Sequence, residues 1–195
     1  MSKSNIISNP DHWVDHYSDS LFGFALTRIR NREAAENLVQ ETFLAALQAK
    51  EHFSGKSSEK TWLIGIMKHK IIDYFRHKYR EIPATDLQTE EQAINAFFDR
   101  SEHFKKQPTH WSPQPREIVE NGEFWKTFEK CLQKLPAQTA QAFTLREIDR
   151  IDHKKICKVL NISSTNLWVM LHRARLQLRH CLESNWFESY GPFLH

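Results

Sequence analysis

Residues 151–182 limit the fold more than any other stretch, because they fit two helices separated by a tight turn. The apolar residues of the first helix recur at the spacing of one buried face. These residues are Ile156, Val159 and Leu160. Asn161 tolerates the left-handed conformation that closes a helix, and Ser163 is a good N-cap for the next one. The stretch therefore predicts a helix-turn-helix.

The second helix of this motif is amphipathic, with a basic polar side. Its apolar stripe consists of Leu167, Leu171, Ala174 and Leu178. From residue 144 to 180, Lys and Arg outnumber Asp and Glu by eight to three. A basic helix that follows a short turn fits the major groove of B-DNA. An amphipathic hairpin with a solvated basic face is the alternative.

Composition favours an all-α fold for the whole chain. The 195 residues are 40% hydrophobic, which is enough for packed cores, and only five are glycine. Leu, Ala, Gln, Lys and Glu recur at helical spacing, whereas runs of Val or Ile are few. A β-sandwich and a doubly wound sheet are therefore not expected.

Two parts of the chain resemble bacterial RNA polymerase sigma factors of the small extracytoplasmic-function (ECF) branch. LPAQTAQAFTLRE and LNISSTNLWVMLHRARLQL resemble the family's promoter-binding C-terminal domain. AAENLVQETFLAAL and TWLIGI, with DYFR further on, resemble its N-terminal domain. The resemblance implies two small helical domains joined by a flexible linker. They are region 2 at 1–81, the linker at 82–122, region 4 with the helix-turn-helix at 123–183, and a tail at 184–195.

The resemblance also implies that one helix face docks on core RNA polymerase. It assigns that role to Asn37, Gln40 and Glu41. Amides and a carboxylate pair well with arginines of a partner helix. Asn37 stands where the family commonly has an acid, so one ion pair is replaced by a hydrogen bond. Without the resemblance, these residues would be taken for solvated surface.

Contacts with the −10 promoter element are expected from a loop and from the helix that follows it. The loop residues Ser54, Lys56 and Ser57 would hold a flipped base. The helix residues Lys68, His69, Lys70 and Arg76 would follow the single strand. His69 stands where the family commonly has Asn, which leaves the base preference open. Trp62 and Phe75 are expected in the core rather than as stacking platforms.

Contacts with the −35 element are expected from the second helix of the helix-turn-helix. By the resemblance, the contacting residues are Asn166, Trp168, His172, Arg173 and Arg175. Trp168 stands where the family usually has Lys or Arg. Either it makes an apolar contact with a thymine methyl, or it packs within the protein or against a partner; the second is preferred.

The expected partners are core RNA polymerase, promoter DNA and an anti-sigma factor. The linker is acidic, with eight Asp or Glu against four Lys or Arg from residue 83 to 123. In the family, the linker follows the RNA exit path. The aromatic tail is expected to fold back on the protein or to contact a regulatory protein.

The sequence carries no signature of an enzyme, a cofactor site or a membrane span. H-E-x-x-H, P-loop, G-x-S-x-G and G-x-G-x-x-G motifs do not occur. His153 and Cys157 lie four residues apart but do not make a zinc site by themselves. Three cysteines without a C-x-x-C pair predict reduced thiols, and the protein is expected in the cytoplasm. The rival function is a self-sufficient, dimeric helix-turn-helix repressor or activator.

Overall fold

The computed structural model describes residues 9–80 and 122–187, with Phe187 described by its backbone alone. These two ranges belong to separate units. Within them the regular structure is helical and contains no strand, so the expected all-α class is confirmed. Most of the predicted linker, with its acidic side chains, and residues 188–195 of the tail lie outside the described residues.

The first unit contains three long helices. They are α1 (Trp13–Ile29), α2 (Arg32–Ala49) and α3 (Glu59–Arg80), with 3-10 turns at Pro10–His12 and Lys50–His52. Asn31 is a plausible helix cap by residue type, and it does start α2, because its side chain accepts a hydrogen bond from the amide of Ala34 at 2.8 Å. Arg30, in the left-handed conformation, closes α1 by donating its amide to the carbonyl of Leu26.

Apolar side chains fill the core between these helices. The largest fully buried ones include Trp13, Leu21, Leu63, Met67, Ile71 and Phe75. Thr42 is buried as well, and its hydroxyl donates to the carbonyl of Leu38 at 2.7 Å. Helical spacing in the sequence predicts an inward Leu47, but this prediction is wrong, since that side chain is 42% exposed. Ala46, one residue earlier, takes the buried position.

Within residues 122–187, the second unit has four helices and two π-helical turns. The helices are α4 (Gly122–Gln133), α5 (Ala137–Phe143), α6 (His153–Leu160) and α7 (Ser164–Leu182). The π-helical turns are Thr144–Ile148 and Glu183–Phe187. The predicted helix-turn-helix is α6 and α7. Asn161 closes α6 at φ 54°, and the Ser163 hydroxyl accepts from the amide of Asn166 at 3.1 Å.

Short helices of this unit are joined by one buried polar contact. Gln138 is 6% exposed, and its Nε2 donates to the carbonyl of Leu160 at 2.9 Å. This bond satisfies a carbonyl at the end of α6 that the helix itself leaves open. The sequence pattern of Phe143, Leu145 and Ile148 predicts that all three continue the core, but Ile148 is 43% exposed. The reason is the π-helical turn at 144–148, whose wider winding changes the face on which Ile148 falls.

A disulfide joins the two ends of the second unit. Cys131 on α4 and Cys181 on α7 are bonded, with their Cα atoms 5.7 Å apart, and Cys157 alone keeps a free thiol. The prediction of reduced thiols is therefore wrong for this pair. The two cysteines are 50 residues apart, and only the packing of α4 on α7 brings them together. Closing a loop of that length stabilises a fold by about 4 kcal/mol in the chain-entropy account.

The tail begins as predicted. Trp186 folds back and is 5% exposed, with its ring centroid 5.6 Å from that of Phe124 on α4. No helix in the described ranges is both long and apolar enough to cross a membrane.

Candidate nucleic-acid and polymerase interfaces

The five residues predicted to contact the −35 element lie on α7 in two rows. Trp168, His172 and Arg175 recur at helical spacing along one flank and are all exposed. Asn166 and Arg173, seven residues apart, form a half-buried second row. A helix turns by about 100° per residue, which places Asn166 roughly 200° from Trp168. The structure therefore brings the five residues to one helix but not to one line.

Trp168 is the most exposed of the large apolar side chains in the described residues, at 65%. Its ring is parallel to that of His172 within 2°, with the centroids 5.7 Å apart. The expectation that Trp168 packs within the protein is wrong, because its side chain is largely exposed and the His172 ring that it stacks on lies on the same exposed flank. Stacking holds both rings in one orientation, and together they form a flat aromatic surface.

Acidic residues hold the arginines at the end of this row. Arg175 Nη2 lies 2.5 Å from Glu147 Oε1, on the π-helical turn after α5. Arg179, which continues the row, pairs with Glu183 at 3.2 Å. Neither Glu147 nor Arg179 was among the predicted contact residues. Arg179 continues the helical spacing of Trp168, His172 and Arg175, and this spacing could have identified it. The contact of Arg175 with Glu147 joins residues 28 positions apart, so no local sequence pattern predicts it.

The loop before α3 presents two of its three predicted residues. Ser54 and Lys56 are exposed, and Ser57 is half-buried, with its hydroxyl donating to the carbonyl of Ser58 at 3.4 Å. Gly55 lies between them at φ 67°, a conformation that favours glycine. The tight turn at Gly55 is what allows Ser54 and Lys56 to face outward on either side of it.

Trp62, at the start of α3, belongs to the interior aromatic cluster, as predicted. Its ring is 5.1 Å from that of Phe53 and 6.0 Å from that of Trp13. Phe75 is fully buried. Phe75 is therefore unavailable to stack on a base, whereas Trp62 is only half-buried.

The four basic residues predicted on α3 do not share one face. His69 and Arg76 lie on the exposed side, where Arg76 Nη1 pairs with Asp73 Oδ1 at 2.6 Å. Lys68 and Lys70 are half-buried and flank that side, roughly 200° apart around the helix. Only His69 and Arg76 therefore form a continuous polar surface.

The face predicted to dock on polymerase is exposed along α2. Asn37, Gln40 and Glu41 all lie at the surface. Leu44 extends the same face by one turn and is 60% exposed. It was not among the predicted contact residues. Its spacing of seven residues from Asn37 is the signal that identifies it. Leu44 therefore adds apolar area to the polar face that is predicted to bind polymerase.

A salt bridge connects this face with α3. Lys70 Nζ lies 3.1 Å from Glu41 Oε2, and both side chains are partly exposed. Glu41 was predicted to contact polymerase and Lys70 to contact DNA. The two predicted surfaces of the first unit therefore meet at this pair.

Known proteins resemble both units. The family model for sigma-70 region 2 matches residues 13–81, and that for sigma-70 region 4 matches residues 126–178. A probable RNA polymerase sigma factor of Haemophilus influenzae is 38% identical over 182 residues, which is 92% of each chain. The chain belongs to the RNA polymerase sigma factors.

Further relatives place this sigma factor in the ECF branch. The ECF RNA polymerase sigma factor SigX of Bacillus subtilis is 27% identical, over 87% of this chain and 81% of the relative. A solved complex of the sigma factor RpoE with the anti-sigma factor NepR from Bartonella quintana is 20% identical to this chain. It covers 90% of this chain and 97% of that one, with a TM-score of 0.42. The sigma factor therefore acts in promoter recognition and transcription initiation.

Proposed function

We propose that the two units of this sigma factor divide promoter reading between them. In this proposal, residues 1–81 bind core polymerase and the −10 element, residues 82–122 link, and residues 123–183 bind the −35 element. The support is that two family models match in the expected order, and that each matched unit carries a helix with an exposed polar side. Each unit reads few bases, and polymerase joins the two readings at a fixed separation.

In the proposed −35 contact, α7 enters the major groove. The row of Trp168 and His172 meets base edges, and the flat Trp168 ring makes an apolar contact with thymine methyl groups. Arg173 and Arg175 bind phosphate or guanine, and Asn166 offers an amide to base edges. Arg175 must leave Glu147 to do so. Such an exposed ion pair is worth at most about 1 kcal/mol, so the exchange is inexpensive.

In the proposed −10 contact, the loop and α3 act together on an opened strand. Ser54, Lys56 and Ser57 donate hydrogen bonds to a flipped base. The cations of α3 then follow the phosphates, with His69 and Arg76 on the outer side and Lys68 and Lys70 on the flanks. The geometry that supports this role is the outward position of Ser54 and Lys56 on either side of Gly55.

The polymerase contact is proposed for the exposed face of α2. Asn37, Gln40 and Glu41 supply directional hydrogen bonds, and Leu44 adds apolar area at the same surface. The sigma factor is proposed to catalyse no reaction itself and to act in the cytoplasm. An anti-sigma partner stays a prediction of the ECF resemblance.

In-vitro transcription tests the division of labour. The full chain is combined with core polymerase on a genomic library, and the 5′ ends of the transcripts are sequenced. Trp168→Arg is expected to change the −35 sequences of the promoters used and to keep their −10 sequences, because it replaces an apolar contact by a donor suited to guanine. One well-placed base contact is worth about 1–3 kcal/mol, so single promoters change roughly 5- to 100-fold.

Trp125→Ala is the matched control, since Trp125 is also exposed, at 46%, but lies on α4. It should leave promoter choice unchanged. An unchanged −35 preference in Trp168→Arg would contradict the proposed base contact. Tight binding to a palindromic duplex without polymerase would instead favour the rival dimeric repressor or activator.

A further inference from the structure

Two open grooves flank the Cys131–Cys181 disulfide on the surface of the second unit. One, of about 260 Å³, is lined by both cysteines together with Lys134, His180 and Asn185. The other, of about 340 Å³, is lined by Cys131, Lys130, Lys134 and Asn185. Both grooves therefore place lysine ammonium groups beside a disulfide that solvent can reach. A small anion would be attracted to them.

The two cysteines of the disulfide differ in their exposure to solvent. Cys131 is 2% exposed, whereas Cys181 is half-buried. Asn185 donates its Nδ2 both to the Cys181 carbonyl at 2.7 Å and towards Cys181 Sγ at 3.5 Å. A hydrogen bond to sulfur, with lysines nearby, favours the thiolate form of Cys181. Cys181 is thus the more exposed cysteine of the pair and the one with a hydrogen-bond donor beside its sulfur.

We propose that Cys131 and Cys181 form a reversible redox site that reacts with peroxide and with a small anionic thiol of the glutathione class. Disulfides in reducing compartments are usually transient and redox-active, and this inference rests on the cytoplasmic location proposed above. The Cys181 end of this disulfide is half-buried and lines a groove that also contains Lys134. The thiol's carboxylates bind near Lys130 and Lys134, which brings its sulfur to Cys181. Such a site goes beyond the promoter-binding function of the chain.

Oxidation begins at Cys181. Its thiolate attacks hydrogen peroxide and becomes a sulfenic acid, and the released hydroxide takes up a proton to form water. The Cys131 thiol then attacks the sulfenic sulfur, the disulfide forms, and a second water leaves. The pair loses two electrons and two protons, and the peroxide is reduced to two waters.

Reduction also passes through Cys181. The thiolate of glutathione attacks Cys181 Sγ, a mixed disulfide forms, and Cys131 leaves as a thiolate that takes up a proton. A second glutathione thiolate attacks the glutathione sulfur of that mixed disulfide. Glutathione disulfide forms and Cys181 is released as a thiolate.

The redox state determines how firmly α4 is attached to the end of α7. In the reduced form, the ring of Trp186 on Phe124 still joins these elements, so the fold persists. The unfolded chain, however, regains the freedom that the cross-link had removed. Reduction is therefore expected to lower the thermal midpoint of this unit by roughly 10 °C or more.

Thiol counting on the full chain tests the reversibility. After peroxide, alkylation followed by mass spectrometry should modify Cys157 alone, and after millimolar glutathione it should modify all three cysteines. Cys157→Ser is the matched control and should keep both the two-electron change and the shift in midpoint. The proposal is overturned if peroxide forms no disulfide, or if millimolar glutathione leaves the disulfide intact.

Charge reversal tests the groove. Lys134→Glu should slow reduction by glutathione roughly three- to tenfold, because it replaces an attraction by a repulsion near the reacting sulfur. Reduction by uncharged 2-mercaptoethanol should be unchanged. Lys126→Glu makes the same charge change on α4 away from both grooves and should have little effect on either thiol. Equal rates for the two lysine variants with glutathione would overturn the role of the groove.

Discussion

The two units of this sigma factor are stabilised in different ways. The first consists of three helices of 17, 18 and 22 residues that pack on an apolar core. The second includes helices of only 7 and 8 residues, and it is held by a disulfide, by the contact of the Trp186 ring with Phe124, and by the buried Gln138. Short helices gain little stability by themselves and depend on tertiary contacts. A small unit with short helices therefore needs specific links where a unit of long helices needs only packing.

Their exposed surfaces differ as well. In the first unit, Lys70 and Arg76 pair with nearby carboxylates, and the aromatic rings Trp62 and Phe75 lie inside or partly inside. In the second unit, Trp168 and His172 lie side by side on the outside. The first unit thus presents mainly charge, which suits a nucleic-acid backbone. The second presents a flat aromatic surface, which suits base edges in a groove.

The largest expected effect tests the dependence of the first unit on packing. Phe75→Ala removes a fully buried ring and should lower the free energy of unfolding of this unit by about 3–5 kcal/mol. Hydrogen exchange of the full chain, followed by mass spectrometry, should show faster exchange in α1 to α3. Phe22→Ala, at a half-buried ring on α1, should have a clearly smaller effect. Equal losses in the two variants would contradict the packing account.

The next effect tests the polar link of the second unit. Gln138→Leu leaves the carbonyl of Leu160 without its buried donor and should cost about 1–3 kcal/mol. Hydrogen exchange should rise in α5 and α6. Gln133→Leu makes the same change at an exposed position on α4 and should be nearly neutral. If Gln138→Leu proves as stable as the wild type, the second unit does not need this link.

The smallest effect concerns one hydrogen bond in the first unit. Tyr17 Oη donates to Glu59 Oε2 at 2.9 Å, and Tyr17→Phe should cost about 1 kcal/mol in thermal unfolding. Burial, and then the hydrogen bond to Glu59, raise the pKa of Tyr17. Because the pKa of the phenol is higher in the folded protein than in the unfolded chain, the protonated phenol stabilises the fold. This stabilisation is fully present below the pKa of the unfolded chain, about 10, and is lost as the pH rises through the pKa of the folded protein.

The difference between wild type and Tyr17→Phe should therefore be constant near neutral pH and shrink above about pH 10. Tyr74→Phe, on α3, is the comparison, because burial alone raises the pKa of Tyr74 and this variant leaves the bond from Tyr17 to Glu59 intact. It should cost less than Tyr17→Phe near neutral pH. A difference that already disappears near neutral pH would show that the contribution comes from something other than the protonated phenol.

Sequence patterns predicted those features of the fold that depend on neighbouring residues. The caps at Asn31 and Ser163 and the left-handed Asn161 are confirmed, because each depends on a few adjacent backbone groups. The positions of Leu47 and Ile148 were wrong, since a shift of one residue around a helix, or one wider turn, exposes a side chain. Helical period alone does not specify either.

Features that join distant residues were not predictable in the same way. The Cys131–Cys181 bond and the contact of Gln138 with Leu160 depend on how helices pack. The sequence does not decide the orientation of Trp168, because a tryptophan at that position fits both burial and exposure. The family resemblance assigned the site residues to α2, α3, α7 and the loop before α3. Their contacts with DNA and polymerase stay predictions.

The salt bridge between Glu41 and Lys70 has a consequence for the order of events. If polymerase arginines take the Glu41 carboxylate on docking, the Lys70 ammonium loses its internal counter-ion at the moment the host enzyme arrives. The Lys70 ammonium can then bind another anion, such as a DNA phosphate of an open promoter. A single exposed ion pair would in this way make the lone subunit slightly less attractive to DNA than the assembled holoenzyme, without any movement of the backbone.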